Sequence, residues 1–75
     1  MAMSPYQENV TRYTALIRAA IVNARRDGIT AMSRENLRAV TSTRGLSFPN
    51  ANACARGFDD ALTQIDRVRG FEIYA

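Results

Sequence analysis

The residues best suited to chemistry in this chain lie close together in its second half. Asn50, Asn52 and Arg56 come first, and the acidic residues Asp59 and Asp60 follow about one helical turn later. Amide and guanidinium groups form directional hydrogen bonds, and Arg also binds anions, so this segment favours recognition of a partner rather than bond breaking. The change from amide and basic side chains to acidic ones is the most informative functional feature of the sequence.

Catalytic and metal-binding groups are scarce in the 75 residues. The chain has no His and a single Cys, Cys54, so neither an internal disulfide nor the usual zinc site of Cys and His can be assembled. Cys54 is expected to be a small buried residue. Asp59 and Asp60 would point about 100° apart on a helix, so they cannot act as a carboxylate dyad. The sequence predicts a protein that is not an enzyme and that binds neither a cofactor nor a metal.

Positive charge is concentrated in the first part of the chain. All ten basic residues are Arg, and with seven acidic residues the net charge is +3. Up to Gly57 the chain has eight Arg and three acidic residues, whereas from Phe58 onward two Arg accompany four acidic residues. This distribution indicates an anionic partner, either DNA or an acidic protein surface. No apolar run has the length of a membrane span and no secretion signal is present, so a cytoplasmic protein is expected.

A long helix is predicted for residues 5–27. Ser4 and Gln7 have the spacing of a capping box, and Pro5 stands at the first helical position, where it loses no hydrogen bond. Apolar residues then recur at intervals of three and four over more than five turns, which predicts one buried stripe. Gly28 follows as a left-handed C-terminal cap.

Two more helices are predicted, a short one over residues 34–43 and a longer one over 50–69. Ser33 and Asn50 are the expected N-terminal caps, since their side chains can accept hydrogen bonds from free amides. Gly57 interrupts the longer helix, which indicates close packing against another part of the chain or against a partner. The longer helix carries a helically spaced apolar stripe: Ala51, Cys54, Phe58, Ala61, Leu62, Ile65 and Val68.

The predicted fold class is all-α, a compact three-helix domain over residues 1–75 with a short C-terminal extended segment or strand at 71–75. Ten residues are expected to be largely buried: Val10, Tyr13, Ile17, Ile21, Leu37, Val40, Leu46, Phe58, Leu62 and Ile65.

The C-terminal segment favours self-association. A chain of 75 residues has a small core, and neither a disulfide nor a metal is available to stabilise it. The apolar side chains of the tail would also lie beside an unpaired strand edge. A homodimer is therefore expected, with contacts at Phe71, Ile73 and Tyr74. Alternatively, the tail folds back on residues 29–31 or adds to the sheet of another protein.

Five residues match the positions that define a known DNA-binding motif: Val40, Gly45, Leu46, Ser47 and Ala51. They stand where that motif has a core residue, its turn glycine, the next apolar residue, a small cap and a core residue of the recognition helix. With them, the segment 40–55 resembles helix-turn-helix DNA-binding domains.

The resemblance implies that the third helix lies in the major groove. Asn50, Asn52 and Arg56 would then face base edges, since Asn pairs with adenine and Arg with guanine. Three other residues would hold phosphates: Arg34, Arg38 and Arg44.

A protein partner is the second hypothesis. Asp59 and Asp60 would repel a DNA backbone that lies along the whole helix, and a net charge of +3 gives a monomer little non-specific attraction to DNA. Arg and aromatic residues also anchor protein interfaces. The domain would then be an adaptor or inhibitor, of a phage or mobile-element type, that binds another protein through its Arg-rich or aromatic surface.

Overall fold

The computed structural model describes residues 4–41, 46, 48–65 and 69–75. Five elements follow one another in the chain: α1 (Pro5–Arg26), β1 (Ala31–Ser33), α2 (Arg34–Val40), α3 (Ala51–Gln64) and β2 (Glu72–Tyr74). α1 packs against both of the other helices. The described residues form a mainly helical fold, as the sequence predicts, but a small parallel sheet is added to it.

The limits of α1 are those that the sequence predicts, to within one residue. The Ser4 hydroxyl accepts a hydrogen bond from the Gln7 amide at 3.2 Å, and the Gln7 side chain accepts one from the Ser4 amide at 3.4 Å. At the other end Asp27 is the cap rather than the last helical residue. Gly28 then adopts a φ of +84°, and the Ile29 amide bonds back to the Ala24 carbonyl at 2.9 Å.

The core lies along the apolar stripe of α1. It combines that stripe with residues of α2, α3 and the C-terminal segment: Val10, Tyr13, Ile17, Ile21, Ala24, Leu37, Phe58, Ala61 and Phe71. Six of the ten residues predicted to be buried are in this group. Leu46, Leu62 and Ile65 are half-buried against it.

The prediction that Val40 is buried is wrong, because its side chain is 60% exposed. Thr41 is buried instead, together with Leu37. Its hydroxyl donates to the carbonyls of Leu37 and Arg38 at 3.0 and 3.1 Å, so burial leaves no unsatisfied polar group. Val40 is about 100° round the helix from Thr41, and α2 turns it toward solvent.

Both shorter helices end earlier than predicted. α2 ends at Val40 rather than residue 43, and Thr41 is already extended, with φ −86° and ψ 130°. α3 ends at Gln64 rather than residue 69, and Ile65 is extended, with φ −88° and ψ 121°. β2, which pairs with β1, begins at Glu72, so residues 65–71 connect α3 to the sheet. The predicted turn glycine Gly45 and residues 66–68 lie outside the described residues.

The C-terminal segment pairs within its own chain. β2 runs parallel to β1, with Ala31 opposite Glu72 and Ser33 opposite Tyr74. The tail therefore folds back within its own chain, which is the alternative that the sequence leaves open, but it pairs with residues 31–33 rather than 29–31. Because β1 directly precedes α2 and β2 follows α3, this sheet ties together the two ends of the segment that contains both helices.

Gly57 lies in the middle of α3 because an aromatic ring packs against it. A Cβ atom at this position would lie 2.6 Å from Cε1 of Phe48. The ring of Phe48 also has its centroid 6.1 Å from that of Tyr6 and 6.2 Å from that of Tyr13. The close packing that a glycine at position 57 indicates is therefore packing against Phe48 of the same chain.

We expect Gly57→Ala to destabilise the domain by about 1 kcal/mol. Alanine alone would favour the helix by about as much, but the ring must shift and lose its aromatic contacts. Chemical denaturation of the variant tests this. In a Phe48→Ala background the same change should become stabilising, and a stabilising effect with Phe48 present would contradict the packing argument.

Candidate functional site

The first half of α3 presents an amide and a guanidinium group on one side. Asn52 and Arg56 are both exposed, and their spacing of four residues places them one turn apart. Asn50 precedes the helix, and its side-chain oxygen accepts a hydrogen bond from the Ala53 amide at 2.8 Å. Asn50 is therefore an N-cap, as the sequence predicts, and its oxygen is already used. The first turn contains no acidic residue.

The acidic residue Asp59 forms an ion pair with Arg34 of α2. The two side chains are 48% and 58% exposed, so the pair contributes little to stability, about 0–1 kcal/mol. Its effect on the surface is larger, because it neutralises one acidic charge of α3. The ion pair also occupies the guanidinium group of Arg34, which is predicted from the sequence to hold a phosphate.

Asp60 accepts a hydrogen bond from the hydroxyl of Tyr6 in α1, at 2.7 Å. This hydrogen bond raises the pKa of Tyr6, and burial and the negative charges of Asp60 and Asp59 act in the same direction, whereas Arg56 lowers it. Tyr6 thus remains protonated near neutral pH and continues to donate to Asp60. The sequence contains no signal for a contact between residues so far apart along the chain.

Two other arginines, Arg38 and Arg44, are predicted from the sequence to hold phosphates. Arg38 is exposed on α2, one turn after Arg34. Arg44 lies outside the described residues. The structure therefore brings Arg34 to α3 through Asp59, and leaves Arg38, Asn52 and Arg56 exposed to solvent.

The connection between α2 and α3 differs from that of a standard helix-turn-helix. Ten residues, 41–50, separate the last residue of α2 from the first of α3, whereas the motif has a turn of about 3–4 residues. The sheet and the Arg34–Asp59 ion pair provide alternative links between the two helices.

The C-terminal residues nominated as dimer contacts differ in their exposure. Phe71 is 8% exposed and belongs to the core of its own chain, so its side chain offers no surface to a second copy. Ile73 is half-buried and Tyr74 is 49% exposed. An open groove of about 570 Å³ lies beside Ile73 and is also lined by Arg34, Asp59, Leu62 and Thr63.

Three comparisons with known proteins bear on the identity of this chain. No family model, curated protein or solved structure matches it. Within the part of the chain that the structure describes, no group of His, Cys, Asp or Glu residues could hold a metal ion. Over the same residues, no helix has the length and apolar character needed to cross a membrane.

Proposed function

We propose that this protein is a small non-enzymatic DNA-binding regulator, helix-turn-helix-like, that reads DNA with the first half of α3. The observation that carries the proposal is the exposed pair Asn52 and Arg56, one turn apart on a helix that begins without an acidic residue. Asn and Arg are the side chains that form bidentate hydrogen bonds with adenine and guanine in the major groove.

The dimensions of α3 suit this role. Its 14 residues extend over about 21 Å, and the major groove admits a single helix. Asn52 and Arg56 are separated by about 6 Å along the helix axis, which corresponds to about two base-pair steps of 3.4 Å. The two side chains therefore have the spacing needed to contact nearby base pairs.

The acidic second half of α3 is compatible with DNA when its partners are considered. Asp59 is paired with Arg34, and Asp60 accepts a hydrogen bond from Tyr6. Both carboxylates are thus directed to groups of α2 and α1. The repulsion of a DNA backbone is therefore reduced at Asp59, whose charge Arg34 neutralises, whereas Asp60 keeps its negative charge beside the Tyr6 hydroxyl.

The second candidate function is binding of another protein as an adaptor or inhibitor. The observation that favours it is the ten-residue connection between α2 and α3, which departs from the short turn of the DNA-binding motif. In that case the exposed arginines would contact an acidic protein surface.

Salt dependence of DNA binding distinguishes the two functions. We expect fluorescence anisotropy with a labelled duplex of about 20 base pairs to show binding that weakens with salt. If Arg38 and Arg44 each contact a phosphate, the slope of log K against log salt should be about −2, from about −0.9 for each phosphate.

Two single variants make this measurement specific. Arg38→Ala should reduce the slope by about 1, whereas Arg26→Ala, which removes an exposed arginine from the outer side of α1, should leave it unchanged. No binding at low salt would reject the DNA function and favour a protein partner. Equal loss in both variants would show that the attraction is diffuse rather than located at α2 and α3.

A further inference from the structure

One edge of β2 has backbone groups directed away from the sheet. The Glu72 amide donates to the Thr30 carbonyl at 2.9 Å, and Glu72 and Tyr74 are opposite Ala31 and Ser33. In a parallel ladder alternate residues direct their N–H and C=O groups to the same neighbour. The backbone N–H and C=O of Ile73 therefore point away from β1, toward the free edge, which no other strand of the described residues covers.

This edge is suited to pairing with its own copy. In an antiparallel pair, two opposed residues exchange both of their backbone hydrogen bonds. Ile73 is the middle residue of β2, and both of its backbone groups face outward. With a two-fold axis beside Ile73, the two copies of this residue would form both backbone hydrogen bonds with each other. This arrangement fixes a single register.

Charge favours the antiparallel arrangement over a parallel one. With Ile73 opposite its copy, each Glu72 would be opposite Tyr74 of the second copy. An in-register parallel pair would instead place the two Glu72 carboxylates directly opposite each other, and like charges in that position are destabilising.

The groove beside β2 provides the apolar part of such a contact. Successive strand residues point to opposite faces, so Ile73 of both copies would lie on the face that borders the groove. That groove is lined by Leu62 and Ile73, and both are half-buried rather than fully covered. A sheet of two three-residue strands is also marginal in water, and four strands with a shared apolar face are more stable.

We propose that a second copy of this chain pairs antiparallel with the free edge of β2, centred on Ile73, to form a four-stranded sheet across a two-fold axis. The pairing joins β2 to β2 and leaves each β1 at an outer edge. It covers the groove and uses Ile73 and Tyr74, but not the side chain of Phe71. It also places two α3 helices in one molecule, although the proposal does not depend on DNA binding.

Sedimentation equilibrium of the full chain without DNA tests the proposal. We expect a dimer at tens of micromolar for the unmodified chain and a monomer for Ile73→Pro. Proline removes an outward-facing N–H and no hydrogen bond to β1, so the helical circular dichroism should be retained. A monomeric unmodified chain, or a folded Ile73→Pro chain that remains dimeric, would overturn the proposal.

Hydrogen exchange of the unmodified chain gives a second readout that does not require the variant to fold. The Ile73 amide should exchange slowly at high protein concentration and quickly after dilution, whereas the Glu72 amide should stay protected because it bonds to Thr30 within the chain. Fast exchange of Ile73 at every concentration would contradict the pairing. These results are separate from the anisotropy measurement, so a monomer that binds DNA would reject the dimer alone.

Discussion

Replacement of Ile17 by Ala is expected to lower the free energy of unfolding by about 2–5 kcal/mol. Ile17 is fully buried at the middle of α1, the helix that packs against both α2 and α3. The substitution removes apolar area and leaves a cavity among residues that cannot close over it completely. A loss of this size approaches the whole stability of a small domain, about 5 kcal/mol, so much of the variant should be unfolded at 37 °C.

Chemical denaturation of Ile17→Ala beside Val22→Ala measures this effect. Val22 is on the same helix but 53% exposed, so its replacement should change stability by less than about 0.5 kcal/mol. Equal effects of the two substitutions would mean that the buried and exposed faces of α1 have been assigned wrongly.

Replacement of Arg56 by Ala is expected to have the largest effect on DNA binding. A bidentate contact to guanine contributes about 1–3 kcal/mol, so the affinity for a preferred sequence should fall by about ten-fold to a hundred-fold. Asn52→Ala should weaken binding similarly at a neighbouring base pair. Because both side chains are exposed, neither change should lower the melting temperature appreciably.

Selection of binding sequences from a randomised duplex, followed by competition binding of each variant, tests these roles. Arg26→Ala is the matched control, since it removes the same charge from the outer side of α1. If Arg56→Ala binds normally while Asp59→Asn or Asp60→Asn loses binding, the partner is basic, and the proposed DNA function is wrong.

The start of each helix could be predicted from the sequence because its determinants are local. Ser4, Ser33 and Asn50 each accept a hydrogen bond from an amide three residues later, as their residue types indicate. The stripe of α1 could also be predicted from local pattern, since apolar residues recur at intervals of three and four over more than five turns of the 22-residue helix, and its core residues are buried.

The ends of α2 and α3 could not be predicted because they depend on the rest of the fold. α3 ends at Gln64 rather than at residue 69, and Thr41 is buried whereas Val40 is exposed. Neither the end of α3 nor the burial of Thr41 follows from local helical propensity.

The contacts that define the candidate site could not be predicted from the sequence either. The residues of the Arg34–Asp59 pair are 25 positions apart and those of the Tyr6–Asp60 hydrogen bond 54 apart. The charge pattern alone indicates that Asp59 and Asp60 would oppose DNA binding, and the ion pair with Arg34 in the folded chain reduces that effect for Asp59.

A nuclear magnetic resonance titration of the labelled protein with a duplex shows whether the first half of α3 is the surface that contacts DNA. The amide signals of residues 51–56 and the side-chain signals of Asn52 and Arg56 are expected to shift, together with the amide of Arg38. The outer side of α1 around Val22 should be unaffected. Shifts confined to α1 or to β2, or no shifts at low salt, would show that α3 does not bind DNA.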